Sequence, residues 1–378
     1  MLALLMFAGV AYAYFGYPLL LLLLVRIAPK RELDRWVMIA PKLSIIITAH
    51  NEAGVIKAKL ENTLMAIAAY SKEKGPRCQI IVASDRSTDG TNEIVREFAD
   101  RHVILLAQDI EPGGKERAQK LAVESASADI IVFTDAKAEL DEFTLIAIAE
   151  PFQDSSVGAV SSTDVVTGES GEGLYVRYEM LLRKLESSFW SLVGLSGSCF
   201  AVRRELAQQI AIDKPSDFGL LLIAVRSGLR GVHAEKALCF YQAASAQQKE
   251  FDRKVRTVLR GITTLCSNLE VLSPFRYGIF SWQIFSHKLM RWLVPWMFLS
   301  GWLTSGVGAK HSGLSLMLFL LSTSFLLLAS CGIASATLRQ RPIFRIPAFL
   351  ALSNLAVALA WIDYFRGRRV QSWKPTDR

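Results

Sequence analysis

Four long segments of this 378-residue chain contain no charged residue, and they constrain its fold more than any other feature. The uncharged segments are Met1–Val25, Trp292–Ala309, Gly313–Leu338 and Ile346–Ile362. A helix needs about 20 apolar residues to cross a bilayer, with roughly 17 as the lower limit. The first and third segments are long enough, and the other two lie near the limit. The sequence predicts an anchor at 1–26 and two or three transmembrane helices within 292–365.

The first segment lacks a basic start and is long and continuous, which favours an uncleaved anchor over a signal peptide. Basic residues follow it at Arg26, Lys30, Arg31 and Arg35. The positive-inside rule then places the next domain in the cytoplasm and the N-terminus outside. A basic tail at 366–378 favours a C-terminus inside as well. Three spans after the domain would place it outside, so the two indications disagree.

The net charge of +8 is concentrated beside the apolar segments, at 26–35, 339–345 and 366–378. Anionic lipid headgroups are the simpler partner for these residues, and no motif indicates nucleic acid. Residues 275–291 mix aromatic and basic side chains, a composition typical of the membrane interface, and we expect an interfacial amphipathic helix there. The five cysteines are scattered without metal-ligand or redox spacing.

Residues 40–274 have the mixed composition of one ordinary domain. Five short apolar runs in it are typical of buried strands. They lie at 43–48, 79–84, 103–107, 129–134 and 157–163. Segments with helical spacing alternate with them, which predicts an α/β fold whose mostly parallel sheet has helices on both faces. In such folds ligands bind beyond the carboxyl ends of the strands.

Polar residues follow three of the predicted strands. Thr48 closes the first strand, Asp85 follows the second and Asp135 follows the fourth. Each alone is more simply a turn or cap residue. Three such polar residues at the same edge of a sheet favour one shared ligand site. A carboxylate such as Asp135 can hold Mg²⁺ or Mn²⁺ against a diphosphate, since hard cations prefer oxygen ligands.

Three strings carry a family resemblance: Leu-Ser-Ile-Ile-Ile-Thr-Ala-His-Asn-Glu at 43–52, Ser-Asp-Arg-Ser-Thr-Asp-Gly-Thr at 84–91 and Thr-Asp-Ala-Lys at 134–137. From about residue 40 to the last apolar segment, the chain resembles family-2 glycosyltransferases of the GT-A fold. It is most similar to membrane-bound bacterial members that form polysaccharides or glycolipids. The resemblance implies nucleotide binding by Thr48, His50, Glu52 and Asp85, and metal binding by Asp135.

Two residues depart from the family pattern beside this site. Arg86 stands where the family usually has Gly, and Lys137 where it usually has Asp or Asn. A lysine two residues from a metal ligand either lowers metal affinity or meets a donor phosphate as a point charge. We expect Mg²⁺ or Mn²⁺ to remain the cofactor, held by Asp135 and the donor diphosphate.

Gly113-Gly114-Lys115 precedes a predicted helix. Glycines at a helix N-terminus allow phosphate to approach, and Lys115 can pair with it, although by itself the string is more simply a plain helix-entry loop. The family has a similar Gly-Lys element at this place. The resemblance therefore adds Lys115 to the nucleotide-binding residues.

Ser216-Asp217 precedes an apolar stripe at helical spacing. By itself Asp217 is more simply a helix N-cap. The resemblance makes this the acidic element that carries the catalytic base, and because Ser216 replaces its usual first acid, Asp217 acts alone. One base is enough for inversion, since the diphosphate leaves without a proton and a second carboxylate is required only for retention. Residues 197–205 resemble the family's small-residue loop ahead of the base.

Arg253 and Arg256 lie with Arg260 on one face of a predicted helix. Such a helix can rest on lipid headgroups. The guanidinium groups can also clamp the donor diphosphate or a lipid-phosphate acceptor. Both interpretations remain open.

The resemblance implies an inverting transferase at the bacterial inner membrane with a cytoplasmic catalytic domain. Its donor would be a nucleotide-diphosphate sugar, UDP-linked, and its acceptor a lipid-linked glycan or a growing polysaccharide. One alternative is transfer of a single sugar to polyprenyl phosphate. Another is a catalytically weak, nucleotide-binding scaffold with partner subunits of a polysaccharide export complex, which Arg86, Lys137 and Ser216 favour.

Overall fold

The computed structural model describes residues 1–27, 40–74, 78–109, 113–167, 172–242 and 247–369. These residues form two compact units. An α/β unit comprises residues 24–245 and 273–280, and a helical unit comprises residues 1–23, 246–272 and 281–370. Lys30, Arg31 and Arg35, and the basic tail from residue 370 onward, lie outside the described residues.

The N-terminal segment is one helix in two parts, α1 (Leu2–Ala11) and α2 (Tyr17–Ile27), joined by a π-helical turn at Tyr12–Gly16. Its 26 residues are long and apolar enough to cross a membrane. Arg26 lies in its last turn. An apolar helix thus occupies the segment predicted as an anchor, and its role as an anchor stays a prediction.

Eight strands of the α/β unit form one sheet. They are β1 (Leu43–Ala49), β2 (Gln79–Asp85), β3 (Val103–Gln108), β4 (Ile130–Asp135), β5 (Glu139–Leu140), β6 (Val157–Thr167), β7 (Cys199–Arg203) and β8 (Arg230–Gln242). Their order is β3-β2-β1-β4-β7-β6-β8-β5. Strands β5 and β7 run opposite to the other six. The mostly parallel sheet is confirmed, and all five predicted strands are present.

Strand β7 was not predicted, because residues 197–205 were interpreted as a loop. Its five residues lie between β4 and β6 and pair antiparallel with both. Phe200 of β7 stacks on Phe133 of β4, with ring centroids 4.9 Å apart. The strand is short and follows a stretch rich in Gly and Ser, so its pattern carried little strand signal.

Helices cover both faces of the sheet. In this unit they are α3 (Ala53–Lys74), α4 (Thr91–Arg96), α5 (Lys115–Glu124), α6 (Thr144–Ala149), α7 (Glu172–Phe189), α8 (Arg204–Ala207) and α9 (Ser216–Arg226). Ile45 and Ile47 of β1 pack on one face in a core that includes Ile56 of α3, whereas Ile46 packs on the other with Ala122 of α5. All seven residues of β1 are buried, which explains why its sequence is mostly apolar and does not alternate with exposed polar residues.

The remaining helices lie toward the C-terminus. They are α10 (Gln247–Cys266), α11 (Pro274–Tyr277), α12 (Ile279–Ile284), α13 (Met290–Gly308), α14 (Gly313–Ala334), α15 (Ala336–Arg339) and α16 (Pro342–Phe365). The helix predicted at 275–291 is interrupted at Gly278, whose φ of +52° is readily adopted only by glycine. A π-helical turn at Phe285–Leu289 then leads into α13.

Two of these helices, α14 and α16, are long and apolar enough to cross a membrane. Helix α13, which covers the segment predicted at 292–309, does not belong to that group. Helix α10 belongs to the helical unit, whereas the sequence predicted that residues 40–274 form one catalytic domain. The functional domain boundary stays a prediction.

Candidate active site

The carboxyl ends of β1, β2 and β4 meet at one edge of the sheet. Thr48 of β1 lies opposite Asp135 of β4, and Ala49 lies opposite Ser84 of β2. Asp85 is the next residue along β2. Neighbouring strands are about 4.8 Å apart, so the backbones of Asp85 and Asp135, which flank β1, are roughly 10 Å apart. The sheet therefore places both carboxylates at the edge predicted to bind the ligand.

The Asp85 side chain is buried and held by several neighbours. Gln108, the last residue of β3, donates a hydrogen bond from Nε2 to Asp85 Oδ1 at 3.0 Å. Arg86 Nε lies 3.7 Å from the same oxygen, and His50 Nδ1 contacts the Asp85 carbonyl. A Cβ atom on Gly113 would lie 2.5 Å from Asp85 Oδ1. The backbone at Gly113 therefore passes close beside this carboxylate.

Lys115, at the start of α5, pairs with Asp135. Its Nζ lies 2.6 Å from Asp135 Oδ1. Burial works to lower the pKa of Lys115, but Asp135, Glu116 and Asp217 together raise it. The segment from Gly113 to Lys115 thus adjoins Asp85 and Asp135, and the charge of Asp217 acts on Lys115 as well. The roles of the three aspartates stay predictions.

Glu52 and Lys137 form a second carboxylate–ammonium pair at this edge. Lys137 Nζ lies 3.4 Å from Glu52 Oε2. Burial raises the pKa of Glu52, Lys137 opposes that rise, and Asp135 adds to it. Both departures from the family pattern therefore meet carboxylates of the site, since Arg86 adjoins Asp85 and Lys137 adjoins Glu52. Thr48 is also buried here and accepts a hydrogen bond from Gln119 Nε2 at 3.3 Å.

Asp217 lies in the first turn of α9, which begins at Ser216 and has Pro215 at its N-cap. The simple N-cap interpretation of Asp217 is therefore wrong. Its Oδ1 accepts a hydrogen bond from the Phe218 amide at 2.8 Å, and a Cβ atom on Gly197 would lie 3.6 Å from its Oδ2. The absence of a side chain at Gly197 leaves room beside this carboxylate.

The turn that contains Gly197 is fixed by residues that the sequence interpretation missed. Ser196 Oγ accepts hydrogen bonds from the amides of Ser198 and Cys199, and it contacts Asp164. Asp164 is paired with Arg183 at 3.0 Å. The Ser198 carbonyl accepts a hydrogen bond from the Asp135 amide at 3.1 Å. One turn thus adjoins both Asp135 and Asp217.

Arg253 and Arg256 lie on α10, which belongs to the helical unit. Arg253 pairs with Glu250 at 2.7 Å. Burial lowers the pKa of Arg256, and the nearby Arg260 and Arg253 lower it further. A cluster of like charges favours an anion as a neighbour. The phosphate-binding role of both arginines stays a prediction.

A hard divalent cation fits Asp135 if the substrate supplies further ligands. Among the described residues, no group of three or more His, Cys, Asp or Glu side chains is gathered for metal binding. Mg²⁺ commonly takes one or two carboxylates and completes its shell with substrate phosphates and water. The Lys115 ammonium at Asp135 Oδ1 shows that this carboxylate already accepts a positive charge.

An α/β sheet with acidic and basic groups at its carboxyl edge agrees with a glycosyltransferase domain of the GT-A fold. Residues 44–211 match the model of Glycosyl transferase family 2, so the chain carries a family-2 glycosyltransferase domain. The solved mannosyltransferase PcManGT from Pyrobaculum calidifontis, in complex with GDP-Man and Mn²⁺, shares this fold. Its TM-score is 0.71 at 21% identity, over 98% of this chain and 100% of that chain.

Curated relatives agree with the family. Probable glycosyltransferase YdaM of Bacillus subtilis (strain 168) is 24% identical over 48% of this chain and 46% of its own length. Poly-beta-1,6-N-acetyl-D-glucosamine synthase of Staphylococcus aureus is 26% identical over 34% of this chain and 30% of its own length. The chain thus spans less than half of the length of these relatives.

Proposed function

We propose that this protein is an inverting glycosyltransferase that moves a sugar from a nucleotide-diphosphate donor, UDP-linked, to a lipid-linked or growing polysaccharide acceptor. The observation that carries the proposal is the gathering of Asp85, Asp135 and Asp217 around Gly113 and Lys115. This arrangement offers one edge of the sheet to the nucleoside, the diphosphate and the acceptor hydroxyl at once.

The donor would lie across the carboxyl ends of β2, β1 and β4. Asp85, buried and oriented by Gln108, would accept a hydrogen bond from the base or ribose. Glu52, His50 and Thr48 would line the nucleotide between Asp85 and Asp135. Lys115 and Lys137 each pair with a carboxylate, and both would turn toward the diphosphate when it enters.

Asp135 would hold Mg²⁺ or Mn²⁺ together with the diphosphate oxygens. The mannosyltransferase PcManGT, whose fold this chain shares, was solved with Mn²⁺. A bound divalent cation neutralises the charge that develops on the leaving nucleoside diphosphate. Lys115 adds a second positive charge beside the same carboxylate, at 2.6 Å.

Asp217 would act as the base. It would take the proton of the acceptor hydroxyl while the hydroxyl oxygen bonds to the anomeric carbon and the bond to the diphosphate breaks. Attack from the side opposite the diphosphate inverts the anomeric configuration. The turn at Gly197 leaves space beside Asp217 for an acceptor hydroxyl.

The acceptor is proposed from the relatives. Poly-beta-1,6-N-acetyl-D-glucosamine synthase and beta-monoglucosyldiacylglycerol synthase are relatives whose names indicate a polysaccharide and a glycolipid product. Apolar helices long enough to cross a membrane support an acceptor of either class, because both would be found at a membrane. Arg253 and Arg256 would bind a phosphate of the donor or of a lipid acceptor.

We also propose a bacterial inner-membrane location with the α/β unit in the cytoplasm. Among the described residues, one candidate span precedes this unit and two follow it, which would return the C-terminus to the cytoplasmic side. Arg366, Arg368 and Arg369 after α16 agree with that side. A C-terminal reporter that is active only in the cytoplasm should therefore be active, and an inactive reporter with normal protein levels would contradict the topology.

The activity is tested by incubating the purified protein in lipid with a panel of radiolabelled UDP-linked and GDP-linked sugars. We expect one UDP-linked sugar to be consumed and its label to enter lipid-linked or polymeric material. Product length on a gel separates polymer formation from single transfer to polyprenyl phosphate. A protein that binds nucleotide and consumes no sugar would instead support the scaffold of an export complex.

A further inference from the structure

Helix α3 carries a charged residue on its buried face. Ile56, Lys59, Leu60 and Thr63 lie at helical spacing and are all buried, and Lys59 is only 3% exposed. Taking an ammonium group out of water is costly unless hydrogen bonds compensate. An apolar side chain would serve a purely structural core at lower cost. Lys59 therefore has a specific task in the interior.

The partners of Lys59 lie on both sides of Asp135. Its Nζ donates to Thr134 Oγ1 at 3.0 Å and to the carbonyl oxygen of Ala138 at 2.5 Å. Between these two acceptors the chain carries Asp135 and Lys137, the residues proposed to meet the cation and the diphosphate. The Ala138 amide also donates to the Asp135 carbonyl at 3.1 Å, which closes the turn.

A second side chain of α3 holds the far end of the same segment. Asn62 Nδ2 donates to the Leu140 carbonyl at 2.8 Å, and Asn62 Oδ1 accepts from the Leu140 amide at 2.9 Å. Four hydrogen bonds from one helix thus fix the segment from Thr134 to Leu140. The segment cannot shift relative to α3 without breaking bonds in a buried environment.

We propose that Lys59 is a positioning residue for Asp135 and Lys137, which it holds in place for the donor diphosphate and its divalent cation. The inference rests on the proposed function. Lys59 touches neither donor nor cation, and it acts through the backbone and hydroxyl acceptors of the turn. Groups that orient a metal ligand in this indirect way typically change metal affinity by about 10- to 100-fold when removed.

The contacts of Lys59 agree with this role. Burial lowers its pKa, and Cys239, Cys199 and Asp135 oppose that change. Lys59 is fixed by its hydrogen bonds to Thr134 and Ala138, whereas Lys115 pairs with the Asp135 carboxylate itself.

The test uses the full-length protein in detergent and measures Mn²⁺ binding in the presence of UDP and, in parallel, of GDP. Lys59→Met should weaken nucleotide-dependent Mn²⁺ binding by about tenfold or more. Binding of UMP or GMP without metal should change much less, because the nucleoside is proposed to bind at Asp85, which Gln108 orients. The matched control is Lys57→Met, on the exposed side of the same helix, which should behave as the wild type.

Thr134 provides an independent pair of variants. Thr134→Val keeps the shape but removes the acceptor for Lys59, and it should weaken Mn²⁺ binding in the same direction. Thr134→Ser keeps the hydroxyl and should bind Mn²⁺ as the wild type does. These two variants decide the question if Lys59→Met does not fold.

Unchanged Mn²⁺ binding in Lys59→Met or in Thr134→Val would overturn the inference. So would equal losses of Mn²⁺-dependent and metal-free nucleotide binding, which would indicate a general structural role. A wild-type protein that binds no nucleotide would overturn the proposed function and this inference together. A wild-type protein that binds nucleotide but transfers no sugar would contradict only the proposed function.

Discussion

Lys115 Nζ lies 2.6 Å from Asp135 Oδ1, so the lysine predicted to meet the donor diphosphate pairs with the aspartate predicted to hold the cation. Lys137 and Glu52 repeat the arrangement 3.4 Å apart. Each ammonium group stabilises a carboxylate of the site. In the proposed function, an entering diphosphate would offer both lysines a stronger partner and would leave Asp135 to a cation.

Replacing Lys137 by Asn should tighten the binding of Mn²⁺ at Asp135. The change removes a positive charge beside the cation site and restores a residue that the family often has here. Nearby like charges are worth on the order of 1–2 kcal/mol at a partly solvated site, so the Mn²⁺ concentration for half-maximal activity should fall by roughly tenfold. Lys120→Asn, an exposed lysine of α5, is the control. An unchanged or higher Mn²⁺ requirement would contradict the placement of Lys137 beside the cation.

Replacing Gly113 by Ala should weaken nucleotide binding. The added Cβ would lie 2.5 Å from Asp85 Oδ1 and 2.5 Å from Arg86 Nε, and Asp85 has no room to retreat because it is buried. We expect roughly tenfold weaker binding, as for other misplaced groups that orient a ligand site. Gly54→Ala is the control, since no atom lies within 4 Å of the Cβ that it would add. Equal nucleotide affinity for both variants would mean that Asp85 does not contact the nucleoside.

Acid should destabilise the α/β unit partly through His233. Burial, with help from Arg183, lowers the pKa of His233 to about 4. An unfolded chain takes up the proton near pH 6.5, so between pH 6.5 and about 4 the unfolded state binds more protons than the folded one. The contribution of neutral His233 to the free energy of unfolding is therefore fully present above pH 6.5. It decreases as the pH falls toward 4, by roughly 3 kcal/mol at most.

The measurement is the midpoint of urea unfolding from pH 7 to pH 4 for the wild type and for His233→Gln. The variant should lose less stability over this range, because its side chain does not titrate. Parallel curves for the two proteins would show that His233 does not contribute to the acid sensitivity.

The strands that carry the site could be predicted because buried strands have a recognisable apolar sequence. All residues of β1 are buried on a sheet covered on both faces, which gives a mostly apolar run. Polar residues after such runs predicted the placement of Thr48, Asp85 and Asp135 at one edge. The register of β1 with β2 and β4 confirms that placement.

Other residues at the site could not be predicted, because their importance depends on tertiary pairing. Gln108 follows an ordinary short strand, and only the parallel pairing of β2 with β3 brings it to Asp85. Ser196 and Asp164 are far apart in sequence and meet through the sheet. Lys59 was the exception that carried a signal, since it interrupts an apolar stripe of α3 at helical spacing.

Two further features were misjudged for local reasons. Strand β7 was interpreted as a loop, and the simple interpretation of Asp217 placed it at the N-cap of α9. Short strands beside Gly and Ser give weak patterns, and an aspartate at a helix start is usually a cap. In the structure Pro215 takes the N-cap position, which leaves Asp217 one residue inside the helix. Its carboxylate then lies next to Gly197 and the proposed acceptor space.

The most direct test of the account is the rate of sugar transfer by Asp217→Asn, measured in a single turnover with donor already bound. The account predicts a loss of about 100- to 10,000-fold in rate with donor affinity unchanged, because only proton removal from the acceptor is lost. Asp213→Asn, an exposed residue just before α9, should transfer at the wild-type rate. An Asp217→Asn protein that keeps most of its rate would contradict the assignment of Asp217 as the base.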